Sequence, residues 1–188
     1  MTQTSSKQLQ EQGVALFHKG KFEAALQKFN EALEAAADQP KQTAEIYNDM
    51  GVTHRQLADY AAAHQALDEA MTLFTQLQDK KGEAQTLGNR ASVYEAEGRL
   101  DKAVDTYKKS AAMLEEVGES EMAMYVWQAV SRLRTKQGQY IAAIGAYEEG
   151  IENMPKGSLK RKVLEQIMKL PGAVLGTSGK SNDMDEDE

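Results

Sequence analysis

Apolar side chains recur along this chain at three- and four-residue steps, and the pattern as a whole repeats. Four segments align without gaps: GKFEAALQKFNEAL from Gly20, ADYAAAHQALDEAM from Ala58, GRLDKAVDTYKKSA from Gly98 and GQYIAAIGAYEEGI from Gly138, with starts 38, 40 and 40 residues apart. Each opens on a small residue, then carries a ring or Leu, an Ala and a large apolar residue: Phe22, Ala25, Phe29; Tyr60, Ala63, Leu67; Leu100, Ala103, Tyr107; Tyr140, Ala143, Tyr147. Steps of three and four put these positions on one face of an α-helix. Upstream lies a second stretch of the same kind, such as Leu9, Gly13, Leu16, Phe17 or Trp127, Val130, Leu133. Each unit is therefore predicted to be helix, tight turn, helix.

Gly20, Gly98 and Gly138 stand where one helix must end and the chain reverse, a place that favours a residue free to take φ > 0. Ala58 fills that place in the second unit, which predicts a looser turn there. The Ala at the centre of each second helix lets a neighbouring helix approach closely. Asp38–Gln42, Gln78–Glu83 and Val117–Glu121 hold the residues expected to lengthen the helices, with Pro40, Gly82 and Gly118 marking the junctions.

Composition adds the class. With 188 residues, 3 Pro, 6% aromatics and 41% hydrophobic content, the chain suits one soluble, all-α domain. The net charge is −7, and Asp183, Asp185, Glu186, Asp187 and Glu188 supply five of the negative charges. The remainder is only mildly acidic and shows no basic stripe, which argues against nucleic acid as a partner. The absence of Cys removes disulfides and thiolate chemistry. The polar start MTQTSSKQLQEQG does not read as a secretory leader, and no run approaches the ~20 apolar residues of a membrane span. A cytoplasmic location and no membrane insertion are expected.

The pattern W-x2-L-G-x2-Y, then A-x3-F, then P resembles the tetratricopeptide repeat. The fourth unit carries it through Trp127, Ala143, Tyr147 and Pro155, with Val130, Ser131 and Arg134 departing from L, G and Y. The others carry Gly13, Ala25 and Phe29; Tyr47, Gly51, Tyr60 and Ala63; and Tyr94, Ala103 and Tyr107. The period of about 40 is longer than the usual 34 and is similar to kinesin light chains and spindle-orientation adaptors. The resemblance implies a right-handed superhelical stack of four helix-turn-helix units at about 6–39, 44–81, 84–119 and 122–155. Leu159, Val163, Ile167 and Leu170 fall on one helical face, predicting a capping helix over 158–170 with Lys160, Arg161 and Lys162 outward. Residues 1–170 form the domain on this reading, and 171–188 are an acidic tail expected to be disordered.

The chain offers little to catalysis. His18, His54 and His64 are in no ligand spacing, and His54 falls at the repeat's usual Tyr position, so it reads as core. Neither G-x-x-x-x-G-K-[ST] nor G-x-G-x-x-G occurs. Asp183, Asp185 and Asp187 alternate like the opening of a calcium loop, yet the chain ends before the Gly and Glu such a loop requires. The aromatics Phe22, Phe29, Tyr60, Tyr94, Tyr107, Trp127, Tyr140 and Tyr147 coincide with repeat-core positions. No enzyme activity, metal or cofactor is expected.

What the resemblance implies instead is a protein-protein interaction module, an adaptor or scaffold that takes a peptide or helix of a partner in the concave groove lined by the first helices. Mapped onto this sequence, the groove-facing positions are Gln10, Val14 and Phe17; Asn48, Val52 and Arg55; Asn89, Ser92 and Glu95; and Gln128, Arg132 and Thr135. Asn and Gln side chains can both donate to and accept from an extended peptide's main chain, and Arg55 and Arg132 point to a partner with some acidic residues. The clamp by which some members grip a chaperone's terminal carboxylate is missing, since its places hold Gln10, Val14, Asp49, Gln85 and Asn89. The alternative is a self-assembling structural subunit whose groove or end face receives another copy.

Overall fold

The computed structural model describes residues 5–154 together with 157, 161, 162 and 166. Eight α-helices follow one another among the described residues: α1 (Ser6–His18), α2 (Phe22–Ala35), α3 (Pro40–Gln56), α4 (Tyr60–Gln76), α5 (Lys80–Ala96), α6 (Leu100–Glu116), α7 (Ser120–Lys136) and α8 (Tyr140–Glu152). They pack as the pairs α1/α2, α3/α4, α5/α6 and α7/α8, and the second helix of each pair also packs on the first helix of the next. First helices touch one another directly, α1 with α3 and α3 with α5, and so form one wall of the stack.

Six connections are built alike. In each, the second residue past the helix end has φ between +56° and +78°: Gly20, Ala58, Gln78, Gly98, Gly118 and Gly138. The following N–H reaches back five residues, as from Asp59 to the His54 carbonyl (3.0 Å), Arg99 to Tyr94 (2.9 Å) and Glu119 to Leu114 (2.8 Å), which satisfies a carbonyl the helix end leaves open. The turn at Ala58 is thus not looser than the rest. Its methyl is carried into the left-handed region by the same two carbonyl bonds, from Ala58 to Arg55 and from Asp59 to His54.

The long period resides in the helices, since α3 to α7 have 17 residues each. Their starts lie earlier than the repeat boundaries expected at 44, 84 and 122, at Pro40, Lys80 and Ser120. Pro40 occupies the first turn of α3, where its missing N–H costs nothing. Asp79 caps α5 by accepting the Gly82 N–H at 2.9 Å and also pairs with Lys41 at 2.9 Å. Gly82 is therefore not the junction residue, and Gln78 takes that place. Gly82 is inside α5 because a Cβ there would lie 2.3 Å from the Phe74 ring.

The core runs along the seams between helices. Ala25, Ala63 and Ala103 are fully buried, and Phe29, Leu67, Val104 and Leu114 fill the spaces beside them. Buried hydroxyls are satisfied across seams, Ser6 donating to the Ala32 carbonyl (2.8 Å) and Ser110 to that of Ala84 (2.7 Å). His54 and five of the eight repeat aromatics are only partly buried, while Phe29 and Tyr107 are enclosed. Tyr140 departs from the core reading: it is 66% exposed, beside Ile141 and Ile144 at 89% and 51%. Its counterparts Phe22, Tyr60 and Leu100 each belong to a helix that a further unit follows, whereas α8 is the last of the eight described helices. Arg161 donates to the carbonyls of Glu152 and Met154 at 2.9 and 3.0 Å, at the C-terminal end of α8. The rest of the expected capping helix and the acidic tail lie outside the described residues.

Candidate functional site: the wall of first helices

A cavity of about 720 Å³ opens along the first helices from Gln10 on α1 to Met122, Tyr125, Val126 and Ala129 on α7. The 3.6-residue period generates its walls: Glu45, Asn48, Asp49 and Arg55 descend one face of α3, and Gln85, Gly88, Asn89 and Ser92 one face of α5. Phe74, Tyr107 and Leu114, from the second helices behind, supply apolar surface between them. A smaller cavity of about 170 Å³, lined by Val14, Phe17, Val52, Asn48 and Asn89 among others, adjoins it.

Polar side chains on this wall are linked from unit to unit. Gln10 Nε2 donates to Asp49 Oδ2 at 2.6 Å, and Gln42 Nε2 donates to Gln10 Oε1. Asn89 Nδ2 donates to Asn48 Oδ1 at 3.0 Å, which leaves the Asn48 amide hydrogens and the Asn89 oxygen for other partners. Arg132 forks onto both oxygens of Glu95 at 2.7 and 2.8 Å.

Charge follows these contacts. Burial pushes the Asp49 carboxyl up against the opposing bond from Gln10, and the Glu45 charge adds to the rise. The Tyr107 hydroxyl is pushed up to about 12, first by burial and then by the charge of the Glu95 carboxylate. Arg132 is raised chiefly by its bonds to Glu95. Arg55 makes no ion pair or side-chain hydrogen bond among the described residues, and its Nε is buried without a partner.

Of the positions expected to face the groove, Gln10, Asn48, Arg55, Asn89 and Ser92 line the larger cavity, and Val14, Phe17 and Val52 the smaller one. Glu95 and Arg132 are spent on each other. Gln128 and Thr135 line neither cavity. Gln128 turns toward α8, its Cγ 4.0 Å from where a Cβ of Gly150 would stand, and Thr135 donates to the Ser131 carbonyl. The reason is phase: Met122, Tyr125, Val126 and Ala129 are the residues of α7 on the cavity, one step of about 100° from Gln128. Sequence reasoning also passed over Glu45 as a wall residue and the second role of Tyr107, and named Asp49 and Gln85 only as holders of the missing clamp's places. A usable signal was present, because polar partners sit about one repeat apart: 39 residues for Gln10 and Asp49, 41 for Asn48 and Asn89, 37 for Glu95 and Arg132.

Among the described residues no group of three or more His, Cys, Asp or Glu is placed to hold a metal ion, and no helix is long and apolar enough to cross a membrane. What the wall offers is amides and hydroxyls for main-chain groups, apolar surface, and fixed charge of both signs.

Comparison with known proteins places this geometry. The chain resembles the crystal structure of MamA over 85% of its length and 81% of that chain, at 19% identity and a TM-score of 0.59. BtubC (BKLC) from P. vanneervenii matches over 97% of this chain and 70% of its own, at 15% identity and a TM-score of 0.69. The nearly identical, kinesin light chain-like TPR repeats from Podosopora anserina match over 89% and 86%, at 12% identity and a TM-score of 0.67. At such identities the likeness establishes a shared fold. The family model described as a tetratricopeptide repeat matches residues 4–76 and 82–156, the greater part of the chain, and with four paired-helix units in register this protein belongs to the tetratricopeptide repeat family.

Proposed function

We propose that this protein is a non-catalytic adaptor or scaffold that binds an extended or helical segment of a partner protein along its wall of first helices, and that it acts in the cytoplasm. The fold supports an interaction role in general terms, and the observation that carries the finer reading is the amide-lined cavity of about 720 Å³ running from α1 to α7. The linked Asn48 and Asn89 at its middle hold unused donors and an unused acceptor, the complement of a peptide main chain. A partner segment with some acidic residues suits Arg55 beside it. The test is selection of binders to the full chain from a randomised peptide library, followed by calorimetry on Asn48→Ala/Asn89→Ala. Binders that lose at least tenfold, about 1.4 kcal/mol, support the reading. Binders indifferent to both changes, or no binders at all, contradict it.

A second reading has its own observation. Tyr140, Ile141 and Ile144 present adjacent apolar surface at the end of the stack, which a second copy of the chain could cover. Sedimentation across a concentration series separates the two: a monomer at all concentrations removes self-assembly.

A further inference from the structure

Four arginines stand on the first helices after α1, and three have their charge answered. Arg132 is forked onto Glu95. Arg90 is bonded through Nη2 to Asp68 on α4. Arg134 lies 3.5 Å from Asp101 and donates to Gln137 and Gln139. Arg55 differs: it lines the larger cavity, is partly buried, and no carboxylate among the described residues pairs with it.

The neighbours explain why. Glu95 is already held by both terminal nitrogens of Arg132. Asp49 is held by Gln10 and stands six residues up α3, about 9 Å along the helix axis. A guanidinium carries five donors and stays charged at any physiological pH, so holding it against a half-dry wall is costly while its donors lack acceptors. No side chain among the described residues is bonded to the terminal nitrogens of the Arg55 fork, which are left for an incoming group. A carboxylate matches that fork with two parallel bonds.

We infer, on the basis of the peptide-groove reading above, that Arg55 is the acid-reading residue of the groove and receives the side-chain carboxylate of an Asp or Glu within the bound segment. A carboxylate inside the segment, and not one at its terminus, follows from position. Arg55 is on the second of the four first helices, with cavity wall on both sides of it, from Gln10 on α1 to Tyr125 on α7, so the ligand chain runs past. Arg132, which the sequence places on the same footing, takes no part because Glu95 has neutralised it.

The experiment uses the full chain and randomised peptides amidated at the C-terminus, with one interior position fixed as Glu or as Gln, beside a set ending in a free carboxylate. Wild-type protein is expected to favour the best Glu peptide over its Gln twin at least tenfold. Arg55→Gln should erase that preference, binding the Glu peptide no better than its Gln twin, and Arg55→Lys should keep only part of it, since an ammonium cannot fork. Arg132→Gln should leave the preference intact. Persistence of the preference in Arg55→Gln, its loss in Arg132→Gln, or a preference confined to free C-termini overturns the assignment and leaves the groove reading standing. Absence of any peptide binding to wild type defeats both.

Discussion

The seams between helices and the open wall of first helices are built from the same repeat, yet they obey different rules. At the seams the choices are few: Ala25, Ala63 and Ala103 are small because a neighbouring helix lies against them, and Gly13, Gly51 and Gly82 lack a Cβ because Phe29, Leu67 and Phe74 would meet it at 2.3 to 2.6 Å. On the wall, long polar side chains choose among partners on helices one repeat away. Arg132 found Glu95 while Arg55 found none. Packing therefore repeats faithfully from unit to unit, and the polar chemistry of the wall does not.

Substitutions should separate the two regions. The largest effect is expected at a seam: Ala103→Glu places an unpaired charge at a fully buried position and should abolish the cooperative thermal transition followed by circular dichroism. Gly82→Ala should come next, lowering stability by about 1 to 3 kcal/mol in denaturant titrations as the new methyl forces Phe74 aside. On the wall, changing Asn48, Asn89 and Arg55 to Ala together should weaken binding of a library-selected peptide at least tenfold, about 1.4 kcal/mol, with melting nearly unchanged. A large drop in melting temperature there would show that the wall is structural after all.

The smallest effect concerns Asp49. Burial raises its carboxyl in the folded state, so the folded protein holds that proton more tightly than the unfolded chain does. Its contribution to stability is then fullest below the ordinary Asp value near about 3.9 and is lost as pH rises through the raised one. Asp49→Asn keeps an acceptor for Gln10 and should melt slightly higher than wild type at pH 7, with the difference fading toward pH 4. An equal difference at both pH values would remove ionisation as the cause.

These contrasts also explain what could be read from the sequence. The paired helices, their order and the central alanines were legible because helical period and small residues leave a direct mark on the chain. The turn at Ala58 was misjudged because hydrogen bonds from its own N–H and the next one can hold a methyl-bearing residue at φ 57°. Gly82 was misread as a breaker because close approach and chain reversal both select glycine, and only the position of Phe74 distinguishes them. On the wall, the expected positions on α1 and α3, with Asn89 and Ser92 on α5, line the two cavities, and those on α7 do not. Tyr140 was assigned to the core by its repeat position, but burial at that position depends on which helix follows. The difference between Arg55 and Arg132 rests on side-chain partners, which no periodicity records.

The side-chain amide resonances of the full chain, followed by NMR during titration with a library-selected peptide, test the central claim most directly. If a partner segment lies along the first helices, the amides of Gln10, Asn48, Gln85 and Asn89 should shift together and saturably, while those of the exposed Gln27 on α2 and Gln65 on α4 stay in place. Saturable shifts at Gln27 and Gln65 with the four wall amides unmoved would place the ligand on the second helices and contradict the account.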